Sequence, residues 1–123
     1  MDSHFENDEK LYRAVYPETK MPSFWKKNGK LSSAALKKKD GLSVERGYYR
    51  KDEDVLADMK KSFQGNVVSV TVGQCRDVSA VVSYLPSERS KYHSEIHSSE
   101  TKLRLTDSQA YRLSEVAIIE YRE

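Results

Sequence analysis

An α+β fold, one compact domain with a small mixed β-sheet covered by two helices, is what this sequence predicts, and three observations predict it. The chain has 123 residues, enough for one modest core and too few for two. Val67-Val68-Ser69-Val70-Thr71-Val72 is its most β-prone run. Two segments, Lys51–Gln64 and Thr106–Ala117, place apolar residues at helical spacing behind recognisable helix starts.

Residues 1–10 carry Asp2, Glu6, Asp8 and Glu9 with little apolar beyond Phe5, so they read as a flexible tail and leave 11–123 as the domain. Leu11–Tyr16 alternates like a half-buried strand that Pro17 stops, with Arg13 pointing away from Tyr12 and Ala14. Pro22 and Asn28-Gly29 mark a loop over Glu18–Lys30, anchored by Phe24 and Trp25. Ser32–Leu36 and Leu42-Ser43-Val44 flank the solvated turn Lys37-Lys38-Lys39-Asp40-Gly41 and read as two short strands or as a strand and a bend.

In Lys51–Gln64, Asp52 can cap the first turn, Glu53 and Asp54 suit its positive end, and Lys60 and Lys61 suit its last turn. Gly65 supplies the stop, and Val55, Leu56, Met59 and Phe63 form a stripe assigned to the core. After the valine-rich strand, Val78, Val81, Val82 and Leu85 fit a helix and a strand equally until Pro86 ends the element. Tyr92–His97 reads as the third strand. Thr106-Asp107-Ser108-Gln109 matches a capping box, and the helix it starts, buried through Ala110, Leu113 and Ala117, gives way to a terminal strand near Glu120 and Tyr121.

Hydrophobic residues make up 37% and charged residues 33%, a polar balance in which eight Tyr, three Phe and one Trp must supply the bulk of a core. With 21 basic side chains against 19 acidic ones the net charge is +2, too little for a strong field, so nucleic acid is not expected as a partner despite the lysines around Phe24 and Trp25. Neither a membrane-length apolar run nor a signal-peptide pattern is present, and the expected location is cytoplasmic. The single Cys75 forbids an internal disulfide or a multi-cysteine zinc site and reads as a buried thiol.

The densest chemistry lies in Tyr92–His97, where His93, Glu95 and His97 alternate onto one strand face. Their spacing of about 6.5 to 7 Å is too wide for all three to bind one ion easily; two of them with a ligand from elsewhere could, but a polar outer face opposite a buried Ile96 is the favoured reading, so no metal is expected, and no cofactor motif occurs. Whatever the function, His93 is expected to be at least partly buried and hydrogen-bonded.

The order Arg13, then Ser32-Ser33, then Glu95 resembles that of arginine-type ADP-ribosyltransferases. The resemblance implies a nucleotide- or NAD-using transferase or hydrolase, with Glu95 and His93 as catalytic residues and Arg13, Ser32 and Ser33 binding the ligand in one pocket. Two positions depart from that pattern: Ser32-Ser33-Ala34 lacks a central Thr, and His93 stands where the family has Glu or Gln.

The combination of Trp25, Ser32–Leu36, Leu42-Ser43-Val44, Val67–Val72, Pro86 and Tyr92-His93 also resembles a scattered group of small uncharacterised bacterial and prophage-type proteins. That resemblance implies a bacterial or phage origin and transfers no catalytic residue. The leading expectation is a small intracellular binding or interaction module whose partner is another protein or a small nucleotide, with the enzyme as the alternative.

Overall fold

The computed structural model describes residues 1–123, and its sheet is built outward from β1 (Lys10–Val15). Alternation sends Leu11, Arg13 and Val15 to one face of this strand and Tyr12 and Ala14 to the other. All six residues pair with β3 (Asn66–Thr71), from Lys10 opposite Thr71 to Val15 opposite Asn66. On the other side of β1 stands β2 (Leu42–Arg46), followed by β5 (His93–His97) and, at the edge, β4 (Val81–Tyr84). β6 (Ile118–Tyr121) pairs with β3 and forms the opposite edge, so the order is β4-β5-β2-β1-β3-β6.

Every neighbouring pair is antiparallel, where the sequence suggested a mixed sheet. The reason is topological: β2 and β3 run in the same direction but β1 separates them. The helix that joins these two strands, α1 (Asp52–Ser62), therefore crosses one face of the sheet, where Val55 and Met59 pack on Tyr12 and Val67. The opposite face receives α2 (Val72–Asp77) and α3 (Asp107–Val116), whose Cys75, Ala110 and Leu113 join Leu11, Val15, Val44, Val68, Val70 and Ile96. Five consecutive residues of β3 are buried, which needs a cover on both faces. The α+β class stands, with one helix layer on each side.

Local chemistry explains the element ends. Thr106 and Gln109 form the expected capping box, and the Gln109 amide also donates to the carbonyls of Val78 (3.1 Å) and Ser98 (3.0 Å), tying α3 to the far end of the sheet. A second capping box, Thr71 with Gln74, ends β3 one residue early and turns Val72 into the first residue of α2. The ambiguous Val78–Leu85 stretch resolves after a left-handed Ser79 into β4. Cys75 is fully buried, and burial pushes its thiol up to about 12, in keeping with a packing role.

Three expectations for α1 change. Lys51 takes the capping position, and the Asp52 carboxylate instead receives the Tyr12 hydroxyl and the Lys10 ammonium (3.0 Å). Lys10 also reaches Glu120 (2.9 Å), which accepts from Ser69 (2.6 Å), so this polar cluster locks α1 to β1, β3 and β6. Phe63 leaves the core stripe because the helix has already ended; in extended conformation at the C-cap, it stays 39% exposed. Gly65 serves a close approach: with φ at +106°, an added Cβ would lie 2.5 Å from the Val15 carbonyl oxygen.

The N-terminal segment is packed, contrary to the frayed start the sequence suggests. Arg46, fully buried on β2, donates to both Glu9 carboxylate oxygens (2.7 and 2.9 Å) and to the carbonyls of Asp2 and His4 (2.7 Å each). Phe5, itself buried, lies with its ring centre 4.0 Å from the guanidinium carbon. Removing one partner of a buried ion pair typically costs about 3 to 5 kcal/mol, because the other charge is left desolvated. Arg46→Met is therefore expected to lower unfolding free energy by that amount in a urea titration; a loss below about 1 kcal/mol would show that the segment packs without the pair.

Candidate functional site

Pairing between β1 and β2 covers only Leu11 with Arg46 and Tyr12 with Glu45, although each strand continues to pair along its other edge. Beyond Tyr12 the two strands part. Their connection fills part of the opening: Trp25 bridges to Leu31 and donates its indole N–H to the Tyr16 carbonyl (2.9 Å), and a 3-10 turn over Ser33–Leu36 buries Ala35 and Leu36. Between β1, this connection and the C-terminal end of α1 lies a cleft of about 630 Å³.

Arg13 stands where the strands separate. Its Nη1 donates to the Ser43 carbonyl of β2 (2.8 Å), spanning the gap that ladder hydrogen bonds would otherwise close. Its Nε is buried without a partner, and no carboxylate forms an ion pair with this guanidinium. Burial pulls the Arg13 pKa down to about 10, so the group is still a cation at neutral pH. Buried polar groups ordinarily find partners, and an orphaned charge is the exception that calls for an explanation.

Around this cation the cleft has two kinds of wall. Val15, Tyr16, Phe24, Ala34, Ala35 and Phe63 supply apolar surface. Lys37 and Lys38 supply positive charge; Lys37 pairs with Asp107 (3.2 Å), whereas Lys38 is exposed and has no carboxylate within ion-pair distance. The arrangement can neutralise an anion at its depth while an apolar or flat group lies against the aromatic side chains.

The residues singled out from the sequence are only partly gathered. Arg13 and His93 share a smaller cavity of about 100 Å³ that adjoins the cleft and also includes Ser43 and Glu45. His93 is half-buried and its Nδ1 lies 2.8 Å from the Leu85 carbonyl, matching the expected partly buried, hydrogen-bonded histidine. Glu95 leaves the sheet on the face opposite Arg13, in the same row as His93, and contacts His97 Nε2 at 2.8 Å. Ser32 caps the 3-10 turn by accepting the Ala34 N–H (3.3 Å), and the walls come from Ala34 and Ala35 rather than from Ser32 and Ser33. No group of three His, Cys, Asp or Glu side chains is arranged to hold a metal ion.

Sequence reasoning weighed Lys37 and Lys38 as phosphate-binding lysines but favoured a solvated turn, and it assigned Phe63 to the core rather than to a site. Arg13 did carry a signal, because alternation puts it in the row of Leu11 and Val15, which are both buried. No family model, no curated protein and no solved structure matches the chain. No helix is long and apolar enough to cross a membrane.

The lowered Arg13 pKa means that folding carries a penalty from this group at every pH below about 10, fading only as the pH rises toward the unfolded value. Arg13→Met removes that penalty and loses one hydrogen bond to Ser43. It is expected to melt at the wild-type temperature or above, in contrast to Arg46→Met; a drop of several degrees in a calorimetric scan would show that bridging the strands outweighs the buried charge.

Proposed function

We propose that this protein is a binding module for a small phosphate-bearing ligand of the nucleotide type, held in the cleft between β1, the connection that follows it and the end of α1. The observation that carries the reading is Arg13, half-buried with its Nε sealed off and unpartnered and with no counter-ion, lining a cavity with a second unpaired cation, Lys38. A phosphate would supply the missing acceptor and charge, and its own negative charge would be worth more there than in water because the surroundings are poorly solvated. Tyr16, Phe24 and Phe63 favour a ligand with a flat ring over inorganic phosphate alone.

Binding is favoured over catalysis by what the nearby reactive groups already do. His93 Nδ1 is engaged with a backbone carbonyl, and Glu95 with His97 on the other side of the sheet. Apart from Ser62 and Gln64 the cleft itself is lined by cations and apolar groups, which orient and neutralise a ligand, and no carboxylate or imidazole lines it.

Adenosine monophosphate and inorganic phosphate, titrated separately by isothermal calorimetry, provide the test. The nucleotide is expected to bind more tightly than phosphate, and Arg13→Met to weaken it by about tenfold or more, which corresponds to about 1.4 kcal/mol. Absence of binding at millimolar nucleotide, or an affinity indifferent to Arg13→Met, would reject the cleft as a nucleotide site.

A further inference from the structure

We infer that the cleft is one end of a continuous groove that binds single-stranded nucleic acid. The inference rests on the anion-binding reading of the cleft and extends it to a polymeric ligand.

Three cavities meet at Phe63. The cleft shares Arg13, Ala14 and Phe63 with the small His93 cavity, which in turn shares Glu45, Met59 and Phe63 with a third cavity of about 310 Å³ between the C-terminal half of α1 and the turn before β5. The third cavity repeats the chemistry of the first. It brings Arg50, Lys61, Arg89 and Lys91 together, and of these Arg89 and Lys91 have no carboxylate within ion-pair distance. Its two acids are already engaged: Asp58 with Arg50 (3.1 Å) and Glu45 with the Ser90 hydroxyl (2.7 Å).

Counted over the three cavities, seven basic side chains face two carboxylates, although the whole chain is only +2. The remaining surface is therefore net acidic, and the positive field is concentrated along this groove. That sorting removes the sequence-based objection to nucleic acid, which rested on the net charge alone.

Aromatic rings accompany the cations. The Arg50 guanidinium lies 3.4 Å from the ring centre of Tyr92, Lys91 is 5.3 Å from the same ring, and Arg89 is 5.9 Å from that of Phe63. Alternating cations and flat rings match a single strand, which offers phosphates and unstacked bases together. A duplex keeps its base faces covered, and an acidic peptide has no use for the rings. A lone nucleotide cannot use both sets of free cations, because Phe63 stands between Arg13 and Lys38 on one side and Arg89 and Lys91 on the other.

Fluorescence anisotropy with a labelled thymidine oligonucleotide of about twelve residues, a length within the site sizes of single-strand binders, tests the inference. Three comparisons are made: the same length of duplex, unlabelled poly-glutamate as competitor, and the variant Arg89→Glu with Lys91→Glu, two exposed positions whose change leaves the fold intact. The oligonucleotide is expected to bind more tightly than adenosine monophosphate and than the duplex, with log affinity falling against log salt by about 0.7 per phosphate engaged. The double variant should lose about tenfold or more in oligonucleotide affinity while adenosine monophosphate binds as before.

An oligonucleotide no tighter than the mononucleotide, or one unaffected by the double variant, overturns the groove while leaving the cleft reading intact. Equal binding of the duplex, or equally effective competition by poly-glutamate, also overturns it. Failure of adenosine monophosphate to bind at all removes the cleft reading on which the groove rests.

Discussion

A single guanidinium, that of Arg46, fixes the relation between the beginning of the chain and the sheet. It is sealed from solvent, so its N–H groups must find acceptors inside the protein. It finds them on the Glu9 carboxylate and on two backbone carbonyls, with the rings of Phe5, Tyr48 and Tyr84 within 4.0 to 5.0 Å. Those acceptors all belong to the first nine residues, which explains why so polar a segment is ordered against the core. The same segment then continues the network: the Asn7 and Glu9 carbonyls accept the N–H groups of Gly73 and Val72 at the start of α2.

Arg13 is the counterpart that makes the contrast informative. It projects from the same face of the sheet on the neighbouring strand, and its neighbours Leu11 and Val15 belong to the main core. No carboxylate stands within ion-pair distance of it. Arg46 shows that this fold can give every nitrogen of a buried guanidinium an acceptor, so the unfinished environment of Arg13 is a property of the cleft rather than of an untidy core. Sites that bind ligands commonly retain such local costs to stability, since the missing partner is supplied from outside.

Parting of β1 from β2 creates this situation. Had the ladder continued, the surroundings of Arg13 would have been closed by strand neighbours and the lysines of the following turn kept in solvent. Instead the long connection, held by Trp25 and the 3-10 turn, props the strands apart and brings Lys37 and Lys38 to the rim. On the other side the early end of α1 releases Phe63 to the place where three cavities join.

The sequence by itself determined what depends on neighbours a few residues apart. The capping box at Thr106, the charge gradient along α1, the valine-rich β3 and the face on which Arg13 lies all follow from local periodicity and side-chain reach. Even the second capping box, Thr71 with Gln74, is written locally, though the valines around it read as strand. Tertiary structure alone decided which face each helix covers, that Glu9 would meet Arg46 across 37 positions, and that Arg13, Lys38 and Phe63 would border one cavity. Those outcomes depend on strand order and on where a ladder stops pairing, and such non-local choices are settled by competition among whole packings. No window of neighbouring residues contains the terms of that competition.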